Sequence, residues 1–171
     1  EQWVLEQINS GNAADLLNFS SVESERVLSA AFLGNLLTKG QASDPNKIKL
    51  AHATWVEPVN LEHQQVLSGC TLFHCIFMEP VSFFQCTFKK DFCCQEVLFS
   101  KQVDCFNARA ESNLFFRRCR FEQPAEFASS SIHGVFGLED ARFLGKADFN
   151  GAKIGYNLYL TNTVFEGNSL F

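Results

Sequence analysis

The stretch Ala141-Arg142-Phe143-Leu144-Gly145-Lys146-Ala147-Asp148-Phe149-Asn150-Gly151-Ala152-Lys153-Ile154-Gly155 states one short pattern three times. A small residue, a polar residue and a large apolar residue stand together at 141–143, 147–149 and 152–154. In extended backbone, residues two apart point to the same side, so Ala141 and Phe143 face one way and Arg142 the other. The intervals of six and then five residues fit no helical period, which would want apolar residues three and four apart.

Working outward, the pattern does not stop. Pairs of inward-type residues begin at 48, 53, 59, 64, 70, 75, 81, 86, 92 and 97. They continue at 103, 108, 114, 119, 125, 130, 136, 141, 147, 152, 158, 163 and 169. Intervals alternating between five and six give an 11-residue period over residues 48–171, and such regularity means stacked units. Four pairs, or 22 residues per circuit, give the cleanest columns. The most regular is the ladder Trp55, Phe77, Phe99, Phe121, Phe143 and Phe165. Others read Leu50, Leu72, Cys94, Phe116, Leu138, Leu160, then Leu61, Phe83, Cys105, Phe127, Phe149, Phe171, then Val66, Phe88, Ala110, Ile132, Ile154. Small partners such as Ala53, Cys75, Val97, Cys119, Ala141 and Thr163 let a narrow interior fill without voids. Five to six turns are expected, about 27 Å of rod at the spacing of neighbouring strands.

Composition agrees. Nineteen phenylalanines against one methionine and two tyrosines suggest one structural environment used many times. Ala147-Asp148-Phe149-Asn150-Gly151, followed by Ala152-Lys153-Ile154-Gly155, resembles the consensus of the pentapeptide-repeat proteins. Cys119-Arg120-Phe121-Glu122-Gln123 is a looser match. That resemblance implies an all-β solenoid, a right-handed quadrilateral parallel β-helix with four short faces per turn. The chain departs from the family by two extra residues per turn and by large residues (Phe92, Leu114, Phe136, Leu158) where the consensus is small.

Residues 1–47 form a predicted N-terminal helical cap and linker, and 48–171 the β-helix. Trp3, Val4, Leu5 and Ile8 suit one face of a first helix. Ser20 and Glu23 resemble a capping box ahead of a second helix carrying Val27, Leu28, Ala31, Phe32, Leu36 and Leu37, closed by Lys39 and Gly40. A polar linker, Gln41 to Lys47 with Pro45, follows. The cap is expected to cover the open edge of the first turn, because an exposed strand edge invites pairing. With no starting Met and no terminating pattern at Ser169-Leu170-Phe171, a piece of a longer chain is expected, and a homodimer through the uncapped C-terminal end is one expectation.

The net charge of −5 divides as −3 over residues 1–47 (six acids, three bases) and −2 over residues 48–171 (thirteen acids, eleven bases). A basic nucleic-acid footprint is absent, so nucleic acid is not the expected partner. No run of about 18 apolar residues is present to span a membrane. Cys70, Cys75, Cys86, Cys94, Cys105 and Cys119 fall at inward positions without metal-ligand spacing, and read as reduced core thiols in a reducing, cytoplasmic compartment. Cys93 points outward, with a reactive thiol as its alternative reading. His52 and His74 share a surface column with Glu96, Arg118, Asp140 and Asn162; a charge ladder is expected there in preference to a metal site.

Two surfaces are candidate partner sites. One is the outward column Asn60, Ser82, Asp104, Glu126, Asp148 and Leu170, where the family resemblance implies Asp or Asn in a structural role and an acidic stripe meeting a basic partner is the functional alternative. The other is apolar: Ile76 and Leu98 outward, with Phe73 and Phe115 nearby. A basic group of Arg117, Arg118, Arg120 and Arg142 is expected to pair with Glu139 and Asp140, with the binding of an anion as its alternative reading. No phosphate loop, nucleophile elbow or zinc helix occurs, so neither a catalytic site nor a cofactor is expected. The leading expectation is a non-enzymatic interaction or scaffold module that binds another protein. The alternatives are a DNA mimic acting on DNA gyrase, which the family resemblance suggests and the mild charge disfavours, and a targeting domain of a larger, membrane-anchored protein cut after Phe171.

Overall fold

A computed structural model describes residues 1–40, 42, 44 and 48–171. The linker expected at Gln41–Lys47, Pro45 included, falls largely outside the described residues. From Ile48 onward the chain winds as a parallel β-solenoid of six coils, each laying short strands on up to four walls. The first wall runs from Ile48–Ala51 through Cys70–Phe73, Phe92–Gln95, Leu114–Arg117 and Phe136–Gly137 to Leu158–Tyr159. The second wall begins at Thr54–Trp55, the third at Val59–Asn60 and the fourth at Gln65–Val66. Partners within a wall differ by 22 residues: Cys70 lies beside Phe92, Phe99 beside Phe121, and Val103 beside Ala125. The columns read from the sequence are therefore physical stacks.

The interior follows from that register. Trp55, Phe77, Phe99, Phe121 and Phe143 are buried, and Phe165 is half-buried in the last described coil. Successive rings in this ladder lie 4.5–5.2 Å apart with planes within 12° of parallel. Hydrogen bonding holds neighbouring strands at roughly 4.8 Å, so rings at equivalent positions must stack at about that spacing. Each buried Phe removes enough apolar surface to contribute roughly 1.5–3 kcal/mol. From the third wall's side, Phe127, Phe149 and Phe171 form a parallel file with spacings of 5.2 and 5.1 Å, and Phe127 and Phe149 meet the ladder edge-on.

Two of the four corners in each of the first five coils, and one in the sixth, are turned by a single left-handed residue. Positive φ recurs every eleven residues, at His52, His63, His74, Gln85, Glu96, Asn107, Arg118, Ser129, Asp140, Gly151 and Asn162. Each ends a five-residue interval. No β-branched residue occupies the slot, which is the steric requirement of that backbone region.

The N-terminal segment closes the first coil on all four walls. Helix α1 (Gln2–Asn9) buries Val4 and Ile8, with Trp3 and Leu5 packed beside them. Strand β1 (Ala14–Asp15) adds to the first wall by pairing with Leu50 and Ala51. Val27 bridges Thr54 on the second wall, and Leu28 N–H donates to the Thr54 carbonyl at 3.0 Å. Helix α2 (Ala30–Thr38) lies over the third wall, Gly34 facing Leu61. Its Leu37 carbonyl accepts the N–H groups of Leu67 and Ser68 beside the fourth wall, at 2.9 and 3.3 Å.

Three local expectations are corrected here. Helix α2 starts at Ala30, capped by Ser29 Oγ, which accepts Phe32 N–H at 3.1 Å. Val27 and Leu28 are extended because they serve a strand edge. Ser20 bonds Glu25 at 2.6 Å in place of Glu23, at the entry to a 3-10 turn, Glu23–Arg26. The helix end is as expected, with Lys39 at the cap and Gly40 left-handed at φ 61°.

Candidate interaction surface

With inward residues committed to the core, chemistry is left to the outward columns and corners. On the third wall, Asn60, Ser82, Asp104, Glu126 and Asp148 align coil upon coil. Each side-chain oxygen accepts the N–H two residues on, from Glu62, Phe84, Phe106, Ala128 and Asn150, at 2.8–3.4 Å. These groups turn the corner, as Asx and related turns do. Asp148 is 8% exposed and also takes Lys146 Nζ at 2.7 Å. The Lys146 ammonium, aided by Asn150 N–H, holds its carboxyl below the usual aspartate range.

That lowered carboxyl gives a pH-dependent stability. The contribution is fully present above the unfolded aspartate pKa and is lost as pH falls through the lower folded value. In Asp148→Asn the corner bond to Asn150 survives and the ion pair does not. Urea titrations from pH 7 to pH 2 should show wild type more stable at neutrality, with the difference closing below about pH 4. A gap that persists at the acid end would contradict the ion pair as its source.

The left-handed corner between the first and second walls carries a second file. His52 Nδ1 meets Asp15 Oδ1 at 2.8 Å, and His52 stacks on His74 with centroids 5.1 Å apart. His74 contacts Glu96 at 3.2 Å, Arg118 bridges Glu96 and Asp140 at 3.2 and 3.8 Å, and Asn162 bonds Asp140 at 3.0 Å. Among the described residues no group of three or more His, Cys, Asp or Glu could hold a metal ion. Half of the basic group pairs as expected, through Arg117–Glu139 at 3.1 Å and Arg118–Asp140. Arg120 and Arg142 instead take Glu122 and Glu166, at 3.2 and 2.6 Å.

The apolar candidates divide in two. Phe73 packs against the His74 ring, centroids 3.9 Å apart, and Ile76 follows directly on the second wall with Leu98 beside it. All three are half-buried. Phe115 stands apart, two coils from Phe73 on the other outward column of the first wall. Two neighbours escaped the sequence reading. Val56 and Met78 stand one column beyond Ile76 and are 51% and 45% exposed. Outward Phe84 and Phe106 also stack, at 5.9 Å, beside Asp104. Both pairs sit 22 apart, so continuing the column reading past the inward positions would have found them.

All seven cysteines are free. Burial pushes the Cys75 and Cys86 thiols up to about 12, which makes them inert. No described helix is long and apolar enough to cross a membrane. Fold and surface together define a capped, four-walled parallel β-solenoid, a repeat protein with 22-residue turns. No family model, curated protein or solved structure matches the chain.

Proposed function

We propose that this solenoid is a non-enzymatic scaffold module that docks another protein along the second wall. The observation that carries the reading is the file of Val56 and Met78, each about half exposed, beside half-buried Ile76 and Leu98. Exposed apolar clusters of this kind mark interfaces. A stacked, hydrogen-bonded wall is already ordered, so binding forfeits little conformational entropy and modest contacts suffice. The acidic column is the weaker candidate, since each of its side chains already commits one oxygen to turning a corner and Asp148 commits both. We further read the chain as a widened relative of the pentapeptide-repeat proteins, supported by four short faces per circuit and by the Asp or Asn-type corner acceptors. DNA mimicry finds little support, because Arg109, Arg118, Arg120 and Arg142 stand exposed among the carboxylates.

The test is affinity capture from the native source with wild type and Leu98→Asp. A hot-spot position should lose at least about tenfold in affinity while the circular dichroism spectrum is retained. Equal capture by both would remove the second wall as the docking site. Turnover of a small-molecule substrate with no retained protein would sink the scaffold reading itself.

A further inference from the structure

The first wall carries a hollow of different character. Its leading outward column reads Lys49, Thr71, Cys93 and Phe115 on successive coils. Thr71 and Cys93 are short and their neighbours at either end are long, so the wall is depressed between them over roughly 14 Å, three strand spacings. Phe115 lies against Gly137 of the next coil, where even a methyl group would come within 2.5 Å of the ring. The Arg117 guanidinium sits over the same ring, 4.1 Å from its centroid. Gly69, Lys90, Asp91 and Ser112 at the preceding corner close the remaining side, leaving a cleft of about 410 Å³. That is the size of a small-molecule site.

Its charge runs against the rest of the molecule. Three cations, Lys49, Lys90 and Arg117, line it against one carboxylate, Asp91. Asp91 Oδ1 is engaged by Ser112 Oγ, Asn113 N–H and Asn113 Nδ2. Arg117 gives its Nε to Glu139. Lys49 and Lys90 have no carboxylate partner among the described residues, whereas adjacent Lys89 pairs with Glu111 at 2.7 Å. In a chain of net charge −5 these three cations converge on a single cleft, and a concave low-dielectric wall focuses their field.

We propose that this cleft binds an oxyanion, a phosphate or carboxylate group, between Lys49, Lys90 and Arg117, with the Thr71 hydroxyl as a further donor. The group arrives either as a free small anion or on an acidic side chain of a bound protein. The site is separate from the apolar second wall and stands whether or not that wall docks a partner.

Cys93 on the floor supplies a reporter. Its thiol is raised by burial, with Arg117 opposing, but iodoacetate and iodoacetamide both consume the thiolate, so their rate ratio is free of that shift. The two reagents differ chiefly in charge. At low ionic strength, with Cys93 adducts counted by mass spectrometry, the iodoacetate to iodoacetamide ratio should exceed that of N-acetylcysteine amide about fivefold, the effect of one close cation in water. Lys49→Gln with Lys90→Gln should return it to the reference value, and Arg117→Gln should lower it in part. A wild-type ratio equal to the reference overturns the proposal, as does an elevated ratio that none of the variants moves. Protection of Cys93 is then measured against chloride of equal ionic strength. Protection by inorganic phosphate identifies a free anion as sufficient, and protection by hexaglutamate alone identifies a partner's acidic side chains. Protection by neither overturns binding.

Discussion

Phe121→Ala should lower the free energy of unfolding by about 3–5 kcal/mol, the cost of emptying a large aromatic site that cannot collapse. Phe121 is fully buried and lies between Phe99 at 5.0 Å and Phe143 at 4.5 Å. Phe116 and Phe127 meet it edge-on or nearly so, at 5.8 and 6.3 Å. Hydrogen-bonded strands above and below fix the coil spacing, so neighbours have little freedom to close the hole. In a solenoid each coil touches only its neighbours, and an internal coil loses contact on both sides at once. Urea unfolding of wild type, Phe121→Ala and Phe165→Ala gives the comparison. Half-buried Phe165 should cost distinctly less, and equal losses would contradict the stacked arrangement.

Leu36→Asp should release the cap and make the protein self-associate. Leu36 is fully buried in α2, its carbonyl accepts the buried Ser68 hydroxyl at 3.3 Å, and the next carbonyl holds the backbone of Leu67 and Ser68. A carboxylate there has no partner and should cost roughly 3 kcal/mol or more. The strand pairing, bridge and backbone bonds described for the cap fall on the first coil, so undocking uncovers the edges of four strands while the stack beyond stays folded. Light scattering should report a larger mean mass than wild type at equal concentration, rising with concentration. Amide exchange should quicken first at Ile48–Ala51 and Thr54–Trp55. A variant matching wild type in both would show that the cap does not guard that edge.

The coil register was legible because each circuit returns a large inward side chain to the same wall. Six aromatic residues at Trp55 and its successors, against the mixed column of Val66 and its successors, favour 22 residues over the bare 11-residue repeat. The left-handed corners were not, because His, Gln, Glu, Asn, Arg, Ser and Asp share no property beyond tolerating that backbone, and nothing in composition marks them. Strand β1 escaped for a different reason: two residues between polar Asn12 and Leu17 form a strand only because Leu50 and Ala51 offer an edge. Val27 and Leu28 keep a helical spacing in sequence, and the tertiary edge at Thr54 overrides it. Of the surface, the acidic column and a structural role for it were visible but the bonds it makes were not, since the N–H groups of Phe106, Ala128 and Asn150 are invisible in a list of side chains. The cleft on the first wall depends on which short residues fall side by side in different coils.

The 22-residue return is tested most directly by nuclear Overhauser contacts in the isotope-labelled protein, between backbone protons of Ile76, Leu98 and Arg120. Consecutive parallel neighbours Ile76–Leu98 and Leu98–Arg120 should give cross-strand contacts, together with ring contacts among Phe77, Phe99 and Phe121. Antiparallel contacts, or contacts at any other separation, would place these rings on different walls and contradict the solenoid.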